Sequence, residues 1–258
     1  MSVAPVPAEI FDRAVDEGRR RLEQSTLELV ATSFIAGFTI VFGMVALGVL
    51  EGVLAAYGDG VEHVAGALGF GLGVVFLVVG RAELFNENFF DPVATAADAD
   101  DGWLVTPLVR LWTITLVVNF VGGGAFAVVF AVDGLLPPGS AEALRTAAVE
   151  IVHRPLLAKF ASAIVGGALV SLLSFMLQGV NSVSSRLFLA YVVGVLLALG
   201  PFDHVVVTSL HVYFGLLFGA EVSLAALAVM TVVAVLGNVV GGLGLVTITH
   251  VAQVVGAE

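Results

Sequence analysis

Two of the long apolar stretches in this chain are interrupted in the middle by polar clusters, each where a membrane-spanning helix would lie. Residues 80–88 read Gly-Arg-Ala-Glu-Leu-Phe-Asn-Glu-Asn, and residues 200–209 read Gly-Pro-Phe-Asp-His-Val-Val-Val-Thr-Ser. Lipid offers no partner to a free backbone group or a charge. Irregular, ionisable backbone therefore persists at membrane depth only where protein buries it or where it lines a wet path. Two such breaks point to a transport pathway.

Composition carries the membrane assignment. Hydrophobic residues make up 59% of the chain and charged ones 12%, against about 25% charged in soluble domains. Apolar runs at 27–57, 64–90, 107–132, 155–178, 187–218 and 222–254 give six spans, the second and fifth broken. The expected fold class is an all-α membrane protein. The absence of cysteine excludes disulfides and thiolate chemistry. No zincin, nucleophile-elbow or phosphate-cradling motif is present, so the reading is not an enzyme and no cofactor or metal is expected. Basic patches for nucleic acid are absent as well.

Residues 1–25 read as a cytoplasmic N-terminal amphipathic helix on the membrane surface, and residues 26–258 as a six-span transmembrane channel domain. Ile10, Phe11, Ala14, Val15 and Leu22 fall near helical spacing, with Glu9, Asp12, Asp16 and Glu17 early and Arg19, Arg20 and Arg21 late, as the helix dipole favours. A frayed polar tail is the alternative. Four of the ten basic residues, Arg13, Arg19, Arg20 and Arg21, precede the first span. That bias sets both termini in the cytoplasm of a cell-membrane protein and leaves Arg145, Arg154 and Lys159 on the other side. A net charge of -11 with acids in the ends and loops, among them Asp98, Asp100 and Asp101, fits a halophilic organism.

The chain also repeats. Asn119 and Asn238 each open an Asn-x-Val-Gly-Gly, and Glu83 and Asp203 precede them by 36 and 35 positions. Two three-span halves follow, and an odd number of spans inverts the second relative to the first. The glycines suit close helix packing, while Asn119 and Asn238 are candidates to tie down the broken loops.

These residues resemble the formate/nitrite transporter family from about Leu29 to Val251. The resemblance rests on Ala82-Glu83-Leu84-Phe85-Asn86-Glu87-Asn88, on Phe202-Asp203-His204 and on Gly237-Asn238-Val239-Val240-Gly241-Gly242. It is closest to a poorly characterised branch, since Arg81, the Phe-Asn-Glu-Asn run and the residues after His204 depart from the formate and nitrite channels. The resemblance implies an aquaporin-like protomer, a homopentamer and one pore per protomer. It also implies that Asn86 occupies the loop position facing the pore histidine, and that Arg154, with Lys159 nearby, is a candidate vestibule base.

His204 itself suggests the chemistry. An imidazole is the side chain that changes charge near neutral pH, and a small anion stripped of water in an apolar pore meets a large desolvation cost. The reading is a channel or transporter for small monovalent anions or their weak acids. The anion enters a weakly positive outer vestibule, is protonated near His204 and crosses as the neutral acid. Phe85 and Phe202 are candidates for the constriction, or for ordinary packing, and Thr208 joins the same pathway. Glu83, Asp203 and Asn88 are expected to anchor the loops. A proton-coupled transporter of a small organic acid, or a channel for water or a small neutral solute, are the alternatives.

Overall fold

A 29-residue helix, α2 (Thr26–Leu54), starts where the Ser25 hydroxyl accepts a hydrogen bond from the Glu28 amide at 3.2 Å, satisfying one orphan N–H of the first turn. The computed structural model describes residues 5–99 and 104–256, and every regular element among them is helical. Asp100 and Asp101 lie outside the described residues. Ahead of α2 stands α1 (Pro7–Glu23). After it come α3 (Asp59–Val79), a 3-10 turn (Phe85–Asn88), α4 (Phe90–Asp98), α5 (Val105–Phe130), α6 (Ser140–His153), α7 (Leu156–Gln178), α8 (Val183–Leu199), α9 (Val205–Leu217), α10 (Leu224–Asn238), a π-helical segment (Val239–Thr247) and α11 (Ile248–Val255).

Five helical stretches are long and apolar enough to cross a membrane: Thr26–Tyr57, Asp59–Val79, Val105–Phe130, Leu156–Gln178 and Leu224–Val254. The fifth apolar run of the sequence is divided between two shorter helices, α8 and α9. On α5 and α10, apolar side chains such as Val117, Val121, Val229 and Val232 stand exposed, as lipid-facing or subunit-facing surface would.

Where the sequence assigns the apolar side of residues 1–25 to the membrane surface, protein meets it. Phe11, Ala14 and Val15 of α1 pack with Phe90 and Ala94 of α4. Helix α6 lies outside the six apolar runs, because six of its fourteen residues are polar. Its Leu144 and Ala148 recur four apart and are fully buried, and the helix packs on α9 and α2. The π-helical segment also escapes hydropathy, which does not register turn width. There the Thr247 side-chain hydroxyl donates to the Gly242 carbonyl at 2.8 Å.

Small residues set the closest helix approaches. A Cβ on Gly37 of α2 would strike the Asn119 carbonyl, and one on Gly167 of α7 would strike the Asn238 carbonyl. Gly167→Ala is expected to destabilise by about 1–3 kcal/mol through overpacking. Gly124→Ala, whose Cβ would meet only a Tyr213 ring atom at 3.8 Å, should be tolerated. Thermal unfolding in detergent, followed by circular dichroism, compares the two.

Candidate functional site

Both breaks are built the same way. In the first, Arg81 takes the left-handed conformation (φ 51°) directly after α3 and turns the chain out of the helix. The backbone groups this frees are collected by Asn119 of α5. Its Nδ2 donates to the Ser33 carbonyl at 2.8 Å and the Glu83 carbonyl at 3.0 Å, and its Oδ1 accepts from the Phe85 amide at 3.0 Å. In the second, between α8 and α9, Asn238 does the same. Its Nδ2 donates to the Ala163 carbonyl at 2.7 Å and the Asp203 carbonyl at 2.8 Å, and its Oδ1 accepts from the Val205 amide at 2.8 Å. Asn86 Nδ2 also donates to Asn238 Oδ1, at 2.7 Å, so a side chain of one break is bound to the amide that holds the other.

The acid of each break is paired with arginine. Asp203 lies 2.6 Å from Arg154, accepts from the Thr208 hydroxyl at 3.2 Å, and its amide donates to Ser162 Oγ at 3.0 Å. Ser162 Oγ in turn donates to the Pro201 carbonyl. Glu83 is met by Arg20 at 3.0 Å and Arg21 at 3.7 Å, both from α1. Arg21 further reaches Asp91 at 3.4 Å, and donates to the Glu87 carbonyl at 2.8 Å and to Asn88 Oδ1 at 3.1 Å. Asn88 Nδ2 closes its own loop on the Leu84 carbonyl at 3.0 Å. Three of the four arginines ahead of the first span are thus bound to other elements of the protein: Arg20, Arg21, and Arg13, which donates to the Gln178 carbonyl.

Glu17 of α1 belongs to this network. Burial acts to raise its pKa, but the hydrogen bond from Arg20 and the charges of Arg21, Arg20 and Arg81 outweigh it and hold the carboxyl at about 2 against an ordinary 4.5. A folded pKa below the unfolded one contributes stability that is present above about 4.5 and lost as pH falls toward about 2. Arg20 and Arg21 belong to α1 itself, but Arg81, 3.5 Å from Glu17, lies outside it, so loss of that pair should loosen the attachment of α1 across that window. The chain has no native cysteine, so spin labels at Asp12→Cys and Ala97→Cys report it directly. Their separation is expected to broaden on acidification, and an unchanged distance distribution counts against the role of Glu17.

Two adjacent cavities lie beside the breaks. A vestibule of about 860 Å³ opens at the end of α2 remote from α1, and Phe202, Thr208 and His211 line it. It is not the weakly positive mouth anticipated from the sequence. Glu51, Asp59, Glu62, Glu142, Glu150 and Asp203 face it, against the bases Arg154, His63 and His211, and Arg154 is already paired with Asp203. Lys159 is absent from the lining and donates to the Val152 carbonyl at 2.6 Å. Through Leu197 and Val207 the vestibule adjoins a constricted inner cavity of about 10 Å³, about the room one water needs.

His204 and Glu87 are the two polar residues of that inner cavity. His204 is 1% exposed and caps α9, its Nδ1 accepting from the Val207 amide at 3.5 Å, while Nε2 has no partner among the described residues. Asn86 and Phe85 stand outside the lining, Asn86 on Asn238 and Phe85 edge-on to Phe89 at 5.1 Å. Sequence reasoning passed over Glu87. It follows Asn86 in the quoted motif, but a 3-10 turn rotates about 120° per residue, so the residue facing the cavity depends on the turn's orientation. His211, seven residues beyond His204, lines the vestibule, and its Nε2 likewise has no partner among the described residues.

Residues 8–252 match the family model described as formate/nitrite transporter. The inner membrane protein YfdC of Escherichia coli (strain K12) is 23% identical over 209 residues, and the match covers 80% of this chain and 65% of the length of that relative. Among solved structures, a channel titled "FNT family ion channel" superposes with a TM-score of 0.81 at 16% identity, over 94% of this chain and 98% of that one. One titled "Pentameric formate channel with formate bound" superposes with a TM-score of 0.72 at 20% identity, over 91% and 100%. At those identities the structures establish the fold. The family model extends from α1 into α11 and includes both Asn-anchored breaks, so this multi-pass membrane protein belongs to the formate/nitrite transporter family.

Proposed function

We propose that the protein is a channel or transporter for small monovalent anions or their weak acids, with His204 as the protonating group of the pore. The observation that carries this reading is the Nε2 of His204, without a partner among the described residues, in a cavity whose lining apart from Glu87 is apolar or glycine, with Leu77, Leu173 and Leu197 among it. With Nδ1 accepting the Val207 amide, the neutral ring keeps its proton on Nε2, as a donor facing the path. An anion there would meet a large desolvation cost that its neutral acid avoids. The acid-lined vestibule adds repulsion of the anion, screened at high salt, and so also favours passage of the neutral form.

The same reading takes residues 1–25 as a cytoplasmic helix, residues 26–258 as two inverted three-span repeats, and the assembly as a homopentamer with one pore per protomer. The similarity to a structure titled as a pentameric formate channel supports the last of these. The test is flux of formate, nitrite, hydrosulfide, acetate and lactate into proteoliposomes at several pH values, in wild type and His204→Asn. Passage of one anion class whose pH dependence is lost or reshaped in the variant is expected. No flux of any of them through folded wild type rejects the reading.

A further inference from the structure

The inner cavity holds complementary, unsatisfied groups. The tautomer set by the Val207 amide leaves the His204 Nε2–H without an acceptor. Glu87, 5% exposed, lines the same cavity of about 10 Å³, and no hydrogen bond or ion pair among the described residues reaches its carboxylate. The contacts that Glu87 does make, from Arg21 and Ser174, both end on its backbone carbonyl, at 2.8 and 3.1 Å. The remaining lining is apolar or glycine, and an uncompensated carboxylate in such a place is costly.

The surrounding charges do not neutralise Glu87. Arg21 of α1 is engaged by Glu83 and Asp91, and Arg20 by Glu17 and Glu83. From the head of α8, Arg186 donates to the Leu177 carbonyl at 3.0 Å. Of the polar side chains that α7 brings nearby, Ser174 serves the Glu87 backbone and Gln178 donates to Asp91. The other charges near Glu87 are the carboxylates of Glu83 and Asp91. His204 is the titratable partner that shares the cavity.

Resting on the weak-acid reading above, we infer that Glu87 is a second proton-carrying group of the pore, and that it exchanges one proton with His204 through the single water or solute atom the inner cavity can hold. The step is a proton transfer alone. A bond to hydrogen breaks at the Glu87–His204 pair as an O–H bond forms on the solute anion, and the neutral acid moves on. The pair regains its proton from water on the side at which the anion arrived, so one proton crosses with each anion. His204 is resupplied with its proton by Glu87, so loss of Glu87 stops delivery from the ring as well and leaves the pore dependent on neutral acid already present in bulk.

That dependence gives the test, with formate as probe in proteoliposomes. Well above its pKa, the neutral fraction of a free acid falls about tenfold per pH unit. Formate flux through Glu87→Gln is therefore expected to fall by about tenfold per unit between about pH 6 and about pH 8, with wild type at no more than about threefold. Glu87→Asp, which keeps a carboxyl, should restore the shallower slope. If Glu87→Gln does not assemble, Glu87→Ala is read on the same criterion, since neither side chain carries a proton. Formate flux in wild type with the same slope in the neutral variants overturns the role of Glu87 alone. Wild type that passes no formate at any pH overturns both this inference and the weak-acid reading beneath it.

Discussion

Asn238→Ala is expected to lower the stability of the folded protein by on the order of 3 kcal/mol or more, because one side chain serves four groups. It accepts from the Val205 amide and from Asn86, and it donates to the Ala163 and Asp203 carbonyls. Asn238 is 0% exposed, and each buried group left without a partner costs about 1–3 kcal/mol. Lipid offers no replacement. The loss should appear as a lower thermal midpoint in detergent. Asn119→Ala, which removes the equivalent bonds from the first break but has no counterpart of Asn86, should cost less. Equal midpoints for Asn238→Ala and wild type would mean that the second break is held by Arg154 and Ser162 instead.

Arg21→Ala is the other large effect. The Arg21 side chain is 11% exposed and stands between Glu83, at 2% side-chain exposure, and Asp91, at 0%. Removing one partner of a buried pair costs about 3–5 kcal/mol, since the charge left behind has neither water nor a counterion. Arg20 still reaches Glu83, but Asp91 retains only the Gln178 amide. The expected result is lower yield of folded protein and detachment of α1. Arg21→Lys should recover only part of it, because a single ammonium cannot also bridge the Glu87 carbonyl and Asn88 Oδ1 as the planar fork does. Full stability in Arg21→Ala would show that the apolar contacts of Phe11, Ala14 and Val15 suffice to dock the helix.

The position of both breaks was legible in the sequence, because an apolar run interrupted by Glu83 or Asp203 needs no partner to be recognised. The correspondence of Asn119 with Asn238 was legible too. Each stands at nearly the same separation from the acid of its own half, and its amide bonds to that acid's backbone carbonyl. These features are local in composition or fixed in spacing. Hydropathy carries them whatever the helices later pack against.

Tertiary structure decided the rest. The vestibule is acidic because its carboxylates converge from four separate segments: Glu51 from α2, Asp59 and Glu62 from α3, Glu142 and Glu150 from α6, and Asp203 from the second break. A count of bases at the end of one span could not register that convergence. Arg154, read along the chain as a vestibule base, is bound to an acid 49 positions away. The inner cavity takes Glu87 in place of Asn86 because the 3-10 turn sits between Asn119 on one side and Asn238 on the other. The chain's hydropathy determined where the backbone leaves the helix. Which side chain then faces the path followed from hydrogen bonds between residues as many as 152 positions apart, and such bonds exist only once the two halves have packed.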